Sequence, residues 1–416
     1  MSKIKNIFAR EILDSRGNPT IEVEVLTEKG YTCSFDVPSG ASTGSKEALE
    51  LRDNDERYGG KGVNKAINNV INIIKPSLIG MEVFNQKKID EVLIDLDGTN
   101  NKSNLGANAT LGVSIACLKA SALENNEEMF SYLNKREKKV PLGMFNVING
   151  GMHAPNNIDI QEFMIVPKFS TFKEIVRCAS EVFSSLKDIL KEKELCTSVG
   201  DEGGFAPDMV CNKDVLSALV KAIELAGYIP GKNVYLALDV AASSFYNKEK
   251  NLYMFENKFI SSTELLAYYE EIVKEYPIIS IEDPFDENDY EGFRMITSSI
   301  GKNIMIVGDD LFVTNKDLLK DGINKGLCNA ILIKPNQIGT FYEMLETVLL
   351  AKENNYRCIM SHRSGETCDT FIADAAVALN IPFIKSGSIC RGERVCKYNR
   401  LLKIEETISK TERINI

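Results

Sequence analysis

The sequence predicts an α/β fold in two parts: a small N-terminal α+β domain over residues 1–135, and a larger α/β domain, read as a closed parallel barrel, over residues 136–416. Three observations support that division. The chain opens on period-two alternation and then turns to helical spacing, which suggests strands followed by helices. Its remainder repeats short apolar runs that each end on a polar or charged residue, with helical stripes between most of them. A length of 416 residues suits a small domain plus one large barrel.

In chain order, residues 19–27 read PTIEVEVLT. Ile21, Val23 and Val25 share one face and Glu22 and Glu24 the other, the mark of a half-buried antiparallel strand. Residues 31–37 repeat the pattern less cleanly after the turn residues Lys29-Gly30. Val63, Ala66, Ile67, Val70, Ile71 and Ile74 follow helical spacing, and the Ala-rich stretch 106–124 predicts another helix. NKREKKVP, residues 134–141, is a charged stretch closed by proline and marks the junction. Beyond it, apolar runs end at Asp239, Glu282, Asp309, Lys334, His362 and Lys385, mostly at intervals that fit one strand plus one helix. Between Lys334 and His362, Phe341, Met344, Leu345, Val348 and Leu349 form the stripe of a helix packed on a sheet. Burying an unpaired charge costs several kcal/mol. Six polar strand ends in succession therefore point to one barrel mouth, where such folds place their chemistry. An open, doubly wound sheet with solvated strand ends is the competing architecture.

Composition narrows the function. Hydrophobic residues make up 44% and charged residues 26%, and 49 basic against 59 acidic residues leave a net charge of −10. That balance argues against nucleic acid or an anionic membrane as the main partner, though not against a local basic pocket. No apolar run approaches the ~20 residues of a membrane span. MSKIKNIFAR lacks the apolar core of a signal peptide, so a cytoplasmic location is expected. The ten cysteines show no CxxC pairing and are expected to be reduced, mainly as apolar fillers. With only two histidines, His153 and His362, a zinc site built on several imidazoles is nearly excluded. A divalent metal would need mostly oxygen ligands, which points to magnesium or manganese.

Asp239, Glu282 and Asp309 are three carboxylates on three strand ends, and together they would repel one another unless a cation neutralised them. Lys334 and Lys385 each end an apolar strand. Burial or a neighbouring cation would lower such a lysine's pKa towards use as a base; pairing with one of the three acids is the other reading. SHRSG, residues 361–365, sets Arg363 and Ser364 before a helix expected near Glu366, a weak signal for a phosphate grip. PSGASTG (38–44), GDEGG (200–204) and INGGMHAPNN (148–157) are glycine-rich loops carrying Ser42, Asp201, Glu202 and His153. Each of these is more often an ordinary turn than a site.

Together these residues resemble the enolase family along nearly the whole chain. The likeness runs through EILDSRGNPT (11–20), PSGASTG, ALELRD (48–53), IDLDGT (94–99), INGG with its following histidine, QEFM (161–164), GDEGG, SIEDPFDE (280–287), VGDDLFVTN (307–315), ILIKPNQIGT (331–340), SHRSGET (361–367) and IKSGS (384–388). It implies an N-terminal domain of three antiparallel strands and four helices, then an eight-stranded enolase-type barrel with one antiparallel strand near its start. It implies reversible dehydration of 2-phosphoglycerate to phosphoenolpyruvate in glycolysis and gluconeogenesis, with two magnesium ions per substrate-bound site. Family members are usually homodimers, and some bacterial ones are octamers.

Carried over position by position, the resemblance makes Asp239, Glu282 and Asp309 ligands of the first magnesium and Ser42 a ligand of the second. Lys334 becomes the base at C2, and Glu202 the acid at the C3 hydroxyl, supported by Glu162. Lys385 and the metals hold the substrate carboxylate, Arg363 and Ser364 grip the phosphate, and Gln161 contacts substrate. His153 and His362 line the closed pocket. Burial near Glu162 is expected to favour a protonated Glu202. The sequence departs from the family pattern at Met152 and Pro155 beside His153, and at Gly392, where the family usually carries serine.

Two other functions compete. A racemase or lactonising enzyme of the same superfamily would not need the Arg363/Ser364 pair or the SGAST loop. A protein kept for binding or packing alone predicts a lost catalytic position, and every proposed position is present.

Overall fold

The alternating N-terminal stretch forms an antiparallel sheet of β1 (Ile4–Leu13), β2 (Pro19–Thr27) and β3 (Thr32–Asp36), in that order. Ile7 pairs with Val25 and Ala9 with Val23, so one face carries the buried Ile21, Val23 and Val25. The computed structural model describes residues 2–41, 43–136 and 138–414. The helical stretch from residue 64 is α1 (Asn64–Asn69), one wider π turn over Val70–Ile74, and α2 (Lys75–Leu78). Its buried residues Ala66, Val70, Ile74 and Leu78 recur every fourth position. That spacing drifts round an ordinary helix, and the wider turn restores it to one face.

α3 (Gln86–Asp97) is capped by the Asn85 side chain, and α4 (Ala107–Glu124) and α5 (Met129–Leu133) complete the domain. α4 is apolar nearly all round because it is sandwiched between the sheet and the second domain. A side chain at its Gly112 would come within 2.5 Å of Val23, so glycine there lets helix and sheet close together.

Eight strands close the barrel: β4 (Leu142–Asn149), β5 (Glu162–Pro167), β6 (Val234–Asp239), β10 (Ile278–Glu282), β11 (Met305–Gly308), β12 (Ala330–Ile333), β13 (Arg357–Ser361) and β14 (Phe383–Lys385). The long interval between Asp239 and Glu282 holds a small sheet of β7 (Tyr246–Asn247), β8 (Leu252–Phe255) and β9 (Lys258–Ile260). Around the barrel lie α6 (Phe172–Glu192), α7 (Asn212–Leu225), α8 (Ser262–Glu275), α9 (Tyr290–Ile300), α10 (Lys316–Lys325), α11 (Phe341–Glu353), α12 (Phe371–Ala378) and α13 (Gly392–Ile414). Side chains at their starts supply caps: Ser261 and Glu264 form a reciprocal capping box on α8, and Asn315 and Thr340 cap α10 and α11. The barrel matches the eight-stranded architecture expected, with one strand, β5, antiparallel to both neighbours.

Strand parity explains why polar residues converge. Met144, Met164, Val166, Ala237, Met305, Val307, Ala330, Leu332, Ile359 and Phe383 pack as one cluster inside the barrel, while the alternate strand residues face the helices. Two positions further towards the mouth, the same inward face carries Asn146, Glu162, Asp239, Asp309, Lys334, Ser361 and Lys385. Because β5 runs in reverse, its first residue, Glu162, is the one that reaches the mouth. It pairs in register with Asp239, the last residue of β6.

The helix expected near Glu366 begins instead at Phe371. The intervening segment is held out of a helix by the first domain: Ser39 and Gly365 exchange backbone hydrogen bonds of 2.7 and 2.8 Å, and Ser15 N–H donates to Glu366 O at 2.7 Å. Gly392 is the first residue of α13 and a side chain there would meet open space, so the departure from serine is accommodated. Met152 and Pro155 are both exposed, while His153 and Ala154 between them are buried.

Candidate active site

The polar strand ends line a cleft at the barrel mouth. Lys385 lies at its centre. The Nζ of Lys385 donates to Asp239 Oδ2 at 2.8 Å and to Glu282 Oε2 at 2.9 Å, and lies 3.2 Å from Glu162 Oε1. Lys334 pairs with Asp309 Oδ2, whose other oxygen accepts from Gln337 Nε2 at 2.9 Å. Gln161 Nε2 donates to Asp239 Oδ2 at 3.4 Å. The sequence left both lysines open between a lowered pKa and pairing with the acids; they are paired. Burial pushes Lys385 down, but Asp239, Glu162 and Glu282 outweigh it and hold the ammonium well above its ordinary range. Burial is likewise outweighed at Lys334, chiefly by Asp309.

Glu202 stands in the turn between α6 and α7. Its Oε2 accepts from Asn146 Nδ2 at 3.2 Å and lies 3.4 Å from His362 Nε2 and 3.6 Å from His153 Nδ1. His153 Nδ1 is also 3.8 Å from Glu162 Oε1, so it sits between the two glutamates. Burial, then the charge of Glu202, pushes the Glu162 carboxyl well above its usual range. Burial raises Glu202 too, but His153, His362 and Arg394 overcome it and hold that carboxyl well below. The imidazoles and the guanidinium thus favour the anion on Glu202, while burial beside that charge favours the neutral carboxyl on Glu162. Burial lowers His362 to about 4.

Arg363 presents its fork to Glu47, with Nη1 2.8 Å from Oε2 and Nη2 3.1 Å from Oε1, and also donates to Asn336 Oδ1 at 3.1 Å. Ser364 Oγ accepts from Ala41 N–H at 2.7 Å. A methyl group on Gly40 would overlap the Arg363 guanidinium, so glycine lets that backbone lie against it. The glycine-rich loop of the first domain is thereby fastened to the arginine loop of the barrel. Ser42 lies outside the described residues.

Several site residues escaped the sequence reading. Glu47 and Arg394 sit in ordinary-looking helical or loop context with no motif of their own. Asp283 and Asp310 follow the chosen acids directly in SIEDPFDE and VGDD, and the doubled acids were the available signal. Asp283 accepts from the N–H groups of Asp309 and Asp310 at 2.9 and 2.8 Å, pinning one strand end to the next, from a left-handed backbone with φ 41°. Burial, then Asp309, raises Asp310 to about 8. Among the described residues, Asp283, Asp309 and Asp310 offer ligand atoms within 4.8 Å of one another, as do His153, Glu162 and Glu202. Asp239 and Glu282 share one ammonium.

The donor chemistry fits a hard divalent cation. The carboxylates of Asp239 and Glu282 already converge on a positive charge, that of Lys385, in the manner a metal would require. Glu162 Oε2 and Gln161 Oε1 are buried beside it without a hydrogen-bond partner.

Cap, barrel and mouth define a capped barrel whose polar end gathers buried carboxylates and lysines. Residues 4–133 match the family model for the enolase N-terminal domain, and residues 137–415 match that for the enolase C-terminal TIM barrel domain. The chain belongs to the enolase family and is a lyase of the enolase type. No helix among the described residues is long and apolar enough to cross a membrane.

Proposed function

We propose that the chain is a phosphopyruvate hydratase, dehydrating 2-phosphoglycerate to phosphoenolpyruvate in glycolysis and running the reverse in gluconeogenesis. The observation that carries this reading is the placement of two opposed proton-handling groups around one cleft. Lys334 follows β12, four strands from β5 and its Glu162 in either direction round the barrel. Glu202 stands on the Glu162 side, bridged by His153. A base and an acid so disposed serve opposite faces of a small substrate, as loss of a proton from C2 and hydroxide from C3 requires.

Removing the C2 proton puts a second negative charge on a group that is already a carboxylate. Lys385, at the centre of the site, is the group proposed to receive that carboxylate, and stabilising the developing charge is the larger part of the work. Magnesium held by Asp239, Glu282 and Asp309, and by Ser42 for a second ion, would add positive charge at the carboxylate and relieve those acids of their hold on the two ammoniums. Lys334, as the neutral amine it becomes once Asp309 no longer holds its charge, takes the proton at Nζ. Glu202 hands one to the C3 oxygen, drawing on the proton that Glu162 keeps within the pair. Arg363 and Ser364 hold the phosphate, Gln161 touches the substrate, and His153 and His362 line the closed pocket. A homodimer in the cytoplasm completes the proposal.

The test is ultraviolet absorbance from phosphoenolpyruvate after adding 2-phosphoglycerate, with magnesium and with chelator. Conversion of an unphosphorylated hydroxy acid in its place would favour the racemase-type alternative.

A further inference from the structure

Arg394, the third residue of α13, is fully buried, and it lies outside every motif that pointed to the site. A buried guanidinium ordinarily faces a carboxylate. Here only Nε approaches one, at 3.4 Å from Glu393 Oε1. The remaining donors go to the loops that carry the site. Nη1 lies 2.7 Å from His362 Nδ1 and also bonds Arg363 O. Nη2 donates to Ser364 O at 2.6 Å, Asp201 O at 3.1 Å and Ser15 Oγ at 3.4 Å. One side chain thus ties the phosphate-gripping loop to the glutamate loop and to the first domain.

The contact with His362 has a chemical consequence. A guanidinium carries five N–H donors and no acceptor, and it does not deprotonate in proteins. The Nδ1 of His362 must therefore accept, and its single ring proton must sit on Nε2. That nitrogen is 3.4 Å from Glu202 Oε2.

We propose that Arg394 is a positioning residue, which locks His362 in the Nε2–H tautomer so that the imidazole donates to Glu202 and aims its carboxylate into the cleft. This rests on the proposed role of Glu202 as the acid, but the tautomer itself does not. The strongly lowered pKa of His362 agrees with a ring kept neutral beside a fixed cation.

The chain's two histidines make the tautomer directly readable. Two-bond proton–nitrogen correlation spectra of the full-length protein, with both imidazoles labelled and His153→Gln used for assignment, should show His362 as the Nε2–H form between pH 6 and 8. Arg394→Lys keeps a donor-only cation and should keep that form. Arg394→Met should release it to a mixture, with kcat for 2-phosphoglycerate down on the order of 10–100-fold and KM little changed. A wild-type Nδ1–H pattern, or an unmixed Nε2–H pattern in Arg394→Met, overturns the proposal. Should Arg394→Met fail to fold, the wild-type and Arg394→Lys spectra decide. An Nε2–H wild type that does not dehydrate 2-phosphoglycerate would leave the positioning intact and remove the functional reading instead.

Discussion

Glu162 and Asp239 are register partners across an antiparallel seam, the first residue of one strand facing the last of the next. An unpaired pair of buried acids at that distance would be costly, and the Lys385 ammonium lies against both. The seam therefore joins the two halves of the site, the carboxylate group around Lys385 and the glutamate–histidine group around Glu202.

If those halves serve separate steps, they separate in kinetics. Lys334→Ala should abolish both dehydration and exchange of the C2 proton with solvent. Glu202→Gln should suppress dehydration by roughly 10²–10⁴-fold while leaving much of the exchange. Deuterium exchange followed by nuclear magnetic resonance, beside the absorbance assay, checks this; equal loss of both in Glu202→Gln would sink the division of roles.

Gly40→Ala puts a methyl group where the Arg363 guanidinium lies. Displacing that fork should raise KM for the phosphorylated substrate and lower kcat/KM by roughly 100-fold, about 2.7 kcal/mol of transition-state binding. Overpacking should also cost about 1–3 kcal/mol of stability, measurable by urea unfolding.

Magnesium should raise the melting temperature of the wild type. Free ion at a hundred times its dissociation constant contributes about 2.7 kcal/mol. Asp309→Asn and Glu282→Gln should lose most of that rise, whereas a surface variant such as Glu291→Gln should keep it. A wild type indifferent to magnesium in calorimetry would count against the proposed ligand set.

His362 adds a pH dependence to stability. Its folded-state pKa of about 4 lies below the ordinary 6.5, so between those values the unfolded chain binds the proton and the native chain does not. The contribution is complete above pH 6.5 and is lost as pH falls towards 4, by on the order of 3 kcal/mol. Urea unfolding of the wild type and of His362→Asn across pH 4–7 should show a steeper acid loss in the wild type.

Much of this was legible from the sequence because the barrel's inner face advances in steps of two. An apolar inward residue followed two places later by an acid or amine, as in Val307 and Asp309 or Leu332 and Lys334, announces both the strand and its charged end. Arg394 could not be read in that way. It points inward from a helix with no local periodicity to flag it, and its partners are carbonyls from segments scattered along the chain. The opposite lean of the two glutamates was hidden for a similar reason, since it depends on which of them the imidazoles and the guanidinium approach. α12 starts later than expected because backbone bonds to Ser15 and Ser39 hold Gly365 and Glu366 out of a helix.

β5 descends where its neighbours climb, and this has a further consequence for Glu202. The chain leaves β5 at the floor of the barrel, so α6 must ascend and α7 return, and the corner between them falls at the rim. That corner is stitched to the barrel: Phe205 N–H donates to Val147 O at 2.9 Å, Asn149 N–H donates to Phe205 O at 2.8 Å, and Ser388 N–H donates to the Glu202 carbonyl at 2.8 Å. An element outside the eight strands is thus anchored to them on both sides of Glu202, so this glutamate is as firmly seated over the cleft as the opposing lysine at the end of β12.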